Sequence, residues 1–410
     1  MPFTPLQRLR ELGPGLILAA AGIGAGDVVV ASVTGAKFGY LLLWALLATC
    51  LLKYALTEAL SRWQLATGET VVRAWFTRLP RWVGIYFWLY LVMWTFLVGA
   101  ALSSACGLAA ASLAPQLSAK WWGAIHGLGF AGLVALNRYS TFQKIMKLLI
   151  AAMAACVIGS AIALRPPVAD VATGLVWPRL PLDGGPTALL SLLGGIGGSL
   201  TVVCYAYWLR EEKWTTADKL REVRADVRLA YLFTAIFGVA LVITAAGLGS
   251  GATGGTGIAL NVAARVGEVL GPIGRIVYLI GFWCTVCTAT LGVWQGVPHV
   301  WVDAFAARQR GRAVTPERQR RICYLVALAF IAGPPLVLLW FHRPVAVVIG
   351  FTVVGAFFMP FLAATLLYLN NRRDWMGALA NRRLGNAALA VSLLAFGAVC
   401  VRQLVTLTTD

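Results

Sequence analysis

The chain has 410 residues, of which 60% are hydrophobic and only 12% charged. A water-soluble domain of this length cannot hide that much apolar surface, so a soluble globular protein is excluded. The net charge of +18 would suit nucleic acid, but the basic clusters lack interleaved aromatics and simply flank apolar runs, so no nucleic-acid partner is expected.

Apolar runs long enough to cross a hydrocarbon core of ~30 Å recur along the whole length. In chain order they predict eleven spans, at 13–38, 40–62, 82–112, 121–138, 141–164, 187–210, 228–249, 272–297, 320–341, 344–369 and 386–407. No separate soluble domain is visible, and the N-terminus lacks the cleavage pattern of a removable signal peptide. The first span is interrupted by Gly22-Ile23-Gly24-Ala25-Gly26-Asp27. The second carries Lys53, Glu58 and Arg62; Glu58 and Arg62 are spaced for a helix-face ion pair, and Lys53 either snorkels or pairs across helices, with a direct role in the permeation path as the lesser alternative. The third has no acidic or basic residue after Arg81.

After the fifth span comes a Pro- and Gly-rich stretch, 165–186, and the sixth span is again interrupted, at Gly195-Ile196-Gly197-Gly198-Ser199. The stretch 250–268 reads as an outer loop with a short re-entrant or surface helix. Trp82, Trp88, Trp121, Trp122 and Trp177 sit near span ends and suit interfacial anchoring. All eight cysteines lie within or beside spans, so no disulfide framework is indicated, and Cys284 and Cys287 read as small packing residues.

With the N-terminus inside, 25 of the 34 Lys and Arg fall in the N-terminus, 62–81, 138–147, 210–228, 308–321 and 372–383. The outer loops hold only Lys120, Arg165, Arg179, Arg265, Arg275 and Arg343. This inside bias predicts a multi-pass protein of the cell (inner) membrane with a cytoplasmic N-terminus and an outside C-terminus. Five spans that start inside end outside, so a second set of five begins inverted. The expected organisation is a first repeat at 1–164, an outer linker at 165–186, a second repeat at 187–370, and an eleventh helix with the C-terminus at 371–410.

Glycine costs roughly 1 kcal/mol against alanine inside a helix, so two glycine clusters at matching places in the two halves need a reason. Paired discontinuous helices, whose unwound backbone lines a substrate site at the bilayer midplane, supply one. A carboxylate at that depth costs roughly 2.5–3.5 kcal/mol on insertion scales and marks function or pairing. Asp27 therefore points to a cationic substrate, and it also suits a cap for the half-helix starting near Val28. The second break, read as Gly197 to Val203, offers Ser199, Thr201 and free carbonyls. Oxygen donors select hard cations, and one formal charge suits an ion that keeps some of its waters. Expected metal ligands are Asp27, Gly24, Ser199 and Thr201, with Ala25 and Val202 beside the substrate. Gly22, Gly24, Gly26, Gly195, Gly197 and Gly198 are the expected hinges. No histidine stands beside either break.

The run Gly13-Pro14-Gly15-Leu16, the first break, Gly35-Ala36-Lys37-Phe38-Gly39-Tyr40, Leu43-Trp44 and Met359-Pro360-Phe361 resemble the Nramp family of divalent-metal transporters. The resemblance implies an all-α integral membrane fold of about eleven transmembrane helices. It is the LeuT-type 5+5 inverted repeat plus one extra helix, with helices 1 and 6 discontinuous. The family's Asp-Pro-Gly-Asn reads Gly24-Ala25-Gly26-Asp27 here, and its Met-Pro-His aligns with Val202-Val203-Cys204. A second family histidine falls on Leu209 and a glutamine on Phe358. These departures, with Ser199-Leu200-Thr201 and Tyr207-Trp208-Leu209-Arg210-Glu211, are similar to the Nramp-related magnesium transporters. That likeness implies a non-enzymatic, monomeric carrier of magnesium or manganese, alternating access, no proton coupling and no bound cofactor. A carrier of small organic cations or amino acids, and a non-transporting sensor on the same fold, are the alternatives.

Overall fold

The computed structural model describes residues 13–136, 138–249, 257–309, 316–341, 351 and 354–409. The described residues fold into helices joined by short turns. The first span is two helices, α1 (Pro14–Gly22) and α2 (Ala25–Phe38), bent by 63° at the glycine break. Pro14 opens α1, where its missing N–H costs nothing. Then follow α3 (Leu43–Thr67), α4 (Val71–Thr77), α5 (Arg81–Leu113), α6 (Ala119–Leu136), α7 (Tyr139–Ala163) and α8 (Val168–Val176). The sixth span is α9 (Gly185–Gly195) and α10 (Thr201–Glu211), parted over residues 196–200. The remainder is α11 (Leu220–Ala245), α12 (Ile258–Arg308), α13 (Glu317–Ala332), α14 (Phe358–Asn370), α15 (Arg373–Met376) and α16 (Arg383–Thr409).

Each expected span coincides with helix, apart from residues 344–350, 352 and 353 of the tenth, which lie outside the described residues. Among the described residues seven helices are long and apolar enough to cross a membrane alone, and two bent pairs, α1/α2 and the pair around α14 and α15, each pass as one span. Large apolar side chains such as Leu51, Leu89, Leu148 and Ile162 are 65–71% exposed, as on a surface that faces lipid rather than water. The fold is the all-α LeuT type expected above, with its first and sixth helices discontinuous.

Two details differ from the sequence reading. The linker 165–186 contains a helix, α8, bounded by Pro167 and Pro178, whose Gly174 packs on the backbone of Tyr40. The eighth span is longer than 272–297, because α12 runs from a short first piece through a kink at Gly271 (φ +76°) as far as Arg308. That first piece, from Ile258, is the short helix expected within 250–268, while 250–256 lie outside the described residues.

Polar contacts tie the spans together inside the bundle. Glu58 on α3 pairs with Arg62 at 3.2 Å, as its spacing predicted, and with Arg224 of α11 at 2.8 Å. Arg62 also donates to the Leu379 carbonyl and to Asn381 Oδ1, both at 2.8 Å. Asp226 on α11 accepts from the Gly15 amide at the start of α1 and from the Tyr205 hydroxyl on α10, each at 2.7 Å. Glu58→Ala leaves the buried Arg62 without its carboxylate, a loss of about 3–5 kcal/mol where a buried pair is broken. A fall in the unfolding temperature of the detergent-purified protein, absent in an exposed control such as Glu222→Ala, is the expected outcome.

Candidate functional site

The two breaks lie against one another. A Cβ on Gly22 would come within 3.3 Å of the Gly197 carbonyl carbon and oxygen, so any larger residue would require the second break to give by a few tenths of an ångström. Gly197 and Gly198 have φ of +79° and +74°, a left-handed pair that would cost any other residue roughly 1–2 kcal/mol apiece. Those two conformations turn the chain from α9 to α10 in five residues.

Asp27 sits at the third position of α2 and is 5% exposed. One carboxylate oxygen accepts from the Gly24 amide at 2.9 Å, closing the cap of its own half-helix. The other accepts from the Gly197 amide at 2.6 Å, across in the second break. The capping role and the role of binding the breaks together therefore coexist in one side chain.

Lys53 stands on the opposite side of that peptide. Its side chain is fully buried, and Nζ donates to the carbonyls of Ile196 and of Gly198, the latter at 2.7 Å. It pairs across helices, one of the two outcomes its sequence allowed. The segment Ile196-Gly197-Gly198 thus offers its amide to an anion and its carbonyls to a cation.

A cavity of about 70 Å³, space for a few waters, opens between the breaks. Gly22, Gly24, Ala25, Gly26, Asp27, Gly195, Gly198, Ser199 and Thr201 line it, with Trp94, Ala101 and Leu102 of α5 on one wall. Ser199 Oγ accepts from Trp94 Nε1 at 3.1 Å. Thr201 Oγ1 is buried at the cavity wall without a hydrogen-bond partner. Ala21 and Gly22 also line it, and they belong to the last turn of α1, whose carbonyls lack an intrahelical donor.

Some expected residues fall elsewhere. Val202 is fully buried within α10 and does not line the cavity; the break ends at Leu200, before the expected Val203, because the helix resumes at Thr201. Gly26 is helical and lies beyond the hinge, since α2 already starts at Ala25. The Gly24 carbonyl accepts from the Val28 amide at 3.2 Å, so it begins the helical ladder of α2. Gly197 turns the backbone behind the cavity without lining it. Phe358 stacks on Tyr90, ring centroids 5.4 Å apart, and fills space with an apolar ring. Lys53 is the residue that sequence reasoning underweighted; the signal was a charge near the middle of the second span, with no partner at helical spacing.

His126 accepts from Trp283 and contacts the Trp122 carbonyl, while His299 lies between Tyr207 and Tyr324; neither lines the cavity. His342 lies outside the described residues. Among the described residues no cluster of three His, Cys, Asp or Glu side chains is placed to hold a metal ion.

Two interrupted helices meeting at a small, mostly apolar cavity that holds one buried carboxylate, inside a helical membrane bundle, define a protein of the LeuT-fold class. Residues 15–406 match the family described as natural resistance-associated macrophage protein-like, Nramp, and the chain belongs to that family. It is 27% identical over 395 residues to a divalent metal cation transporter MntH of Deinococcus radiodurans, covering 92% of this chain and 85% of that one. It is 26% identical over 191 residues to the metal transporter Nramp5 of Oryza sativa subsp. japonica, a match spanning 46% of this chain and 35% of the rice protein. Among solved structures, a manganese transporter of Eremococcus coleocola shares the fold with a TM-score of 0.75 at 17% identity, covering 100% of this chain and 90% of that one. The nucleobase-cation-symport transporter Mhp1 superposes more loosely, with a TM-score of 0.59 at 15% identity over 95% of this chain and 89% of the other.

Asp27→Ala strips two buried amides of their acceptor, at about 1–3 kcal/mol for each. Asp27→Asn keeps one acceptor oxygen and satisfies one of the two. Thermal unfolding in detergent should therefore rank wild type above Asp27→Asn, and Asp27→Asn above Asp27→Ala.

Proposed function

We propose that the chain is an alternating-access transporter of divalent metal cations whose principal cargo is magnesium, with manganese second. The observation that carries this reading is the meeting of a buried carboxylate and an unpartnered hydroxyl, Asp27 and Thr201, at one cavity between two broken helices. Asp27 supplies the charge. Ser199, Thr201 and the terminal carbonyls of α1 at Ala21 and Gly22 supply neutral oxygens, directly or through retained waters. No sulfur or imidazole lines the cavity among the described residues, which favours hard cations over those that seek thioether or nitrogen ligands. The family's metal-transporting members support the substrate class. The oxygen-only lining is what argues for magnesium within it.

With repeats taken at 1–164 and 187–370, each half holds one half-helix pair, α1/α2 and α9/α10, the latter beginning two residues earlier at Gly185. In this reading they bend at Gly22, Gly24, Gly195, Gly197 and Gly198 to open either side in turn. With Asp27 as the sole acid of the cavity wall and no histidine there, the cargo moves without a proton relay. Inward movement is driven by the membrane potential, worth about 2.3 kcal/mol per charge per 100 mV.

Flux into proteoliposomes tests the reading. Magnesium and manganese uptake should be saturable in wild type and should rise with an inside-negative potential. It should fall at least about tenfold in Asp27→Asn, corresponding to ~1.4 kcal/mol or more of lost ion binding. Unchanged uptake in that variant removes Asp27 from the ligand set. Thr201→Val deletes one oxygen while preserving shape, so its apparent affinity should drop by about threefold to tenfold with little change in thermal stability.

A further inference from the structure

We propose that the Lys53 ammonium is a tethered cation that fills the cation position at the second break, and that by doing so it limits how tightly the transported ion is held. The inference rests on the divalent-cation reading above and adds to it a residue that sets affinity.

Unwound carbonyls at the end of a half-helix are a natural seat for a positive charge. There the helix dipole turns its negative end outward. Ile196 caps the C-terminal end of α9, and its carbonyl is one of the two that receive Nζ. The Gly198 carbonyl is the other, from the far side of the left-handed turn. The lysine comes from α3, outside both broken spans, so the chain delivers its own cation to a place where a free ion would otherwise sit. Its stem passes under Gly197, where a Cβ would stand 3.4 Å from Lys53 Cδ. The ring of Phe396 closes the other side, with its centroid 5.9 Å from Nζ.

The ammonium and the Asp27 carboxylate act on one another through space, with the Gly197 peptide between them. One fixed positive charge beside one fixed negative charge leaves the paired breaks with no net charge. A divalent ion that approaches Asp27 must then work against the ammonium, and two of the break's carbonyls are already engaged. Neutralising Lys53 removes the repulsion and frees those carbonyls. The ion should bind more tightly and leave more slowly.

Calorimetric titration of detergent-purified protein with manganese and magnesium, together with proteoliposome flux, tests this. Lys53→Gln and Lys53→Met should bind manganese at least fivefold more tightly than wild type, with a lower maximal flux at saturating ion. Lys53→Arg, which keeps the charge, should stay within twofold of wild type. A lysine that served only to hold the fold would, when replaced, weaken binding or leave it unchanged. Equal or weaker binding in monodisperse Lys53→Gln or Lys53→Met therefore overturns the proposal while wild-type binding keeps the transporter reading intact. If both neutral variants fail to fold and Lys53→Arg folds, the residue is assigned to folding and the proposal is likewise overturned. Wild type that binds neither ion removes the cation reading, and this inference with it.

Discussion

A peptide group left without a partner in the middle of a bilayer costs several kcal/mol, and this chain interrupts two helices there. The interruption survives because Asp27 accepts the Gly24 and Gly197 amides, and Lys53 donates to the Ile196 and Gly198 carbonyls. The two charges are normally expensive at that depth. Here each is held by backbone dipoles that would themselves be unsatisfied without it. The cost of the charges and the cost of the unwound backbone offset one another, and the cavity is the space left between them.

Close approach is the second requirement. Gly22 against Gly197, and Gly292 against Ala21, let α1, the second break and α12 meet with backbone nearly in contact. Side chains of ordinary size would separate the half-helices and pull the Asp27 carboxylate out of reach of the second break. The glycines therefore have two separable uses. Gly197 and Gly198 permit a backbone conformation, while Gly22 and Gly292 permit a distance.

Much of this was legible in the sequence because lipid imposes long apolar runs and punishes interruptions. The spans, both breaks and the placing of Asp27 at a break follow from that constraint alone. The register of the second break did not, because the run from Gly194 to Gly198 contains four glycines and any of them can turn the chain. In the fold it is Gly197 and Gly198, lying against Gly22, that take the left-handed conformation, and the helix then resumes at Thr201, carrying Val202 into the protein interior. Helix α8 was hidden for a related reason: it is only nine residues long, and the prolines and glycines of the linker outweighed its amphipathic pattern. Lys53 was seen but not placed, since its partners are carbonyls more than 140 residues away and a carbonyl has no signature in a sequence.

The carboxylate of Asp226 gives the architecture one more property. It grips the beginning of α1 through Gly15 and the body of α10 through Tyr205. Near the opposite tip of α1, Asp27 fastens the first break to the second. Two half-helices distant in sequence, α1 and α10, are thus riveted to one another by Asp226, and the breaks beside them by Asp27. Neither can swing alone without shearing a rivet, so they form a single mechanical part.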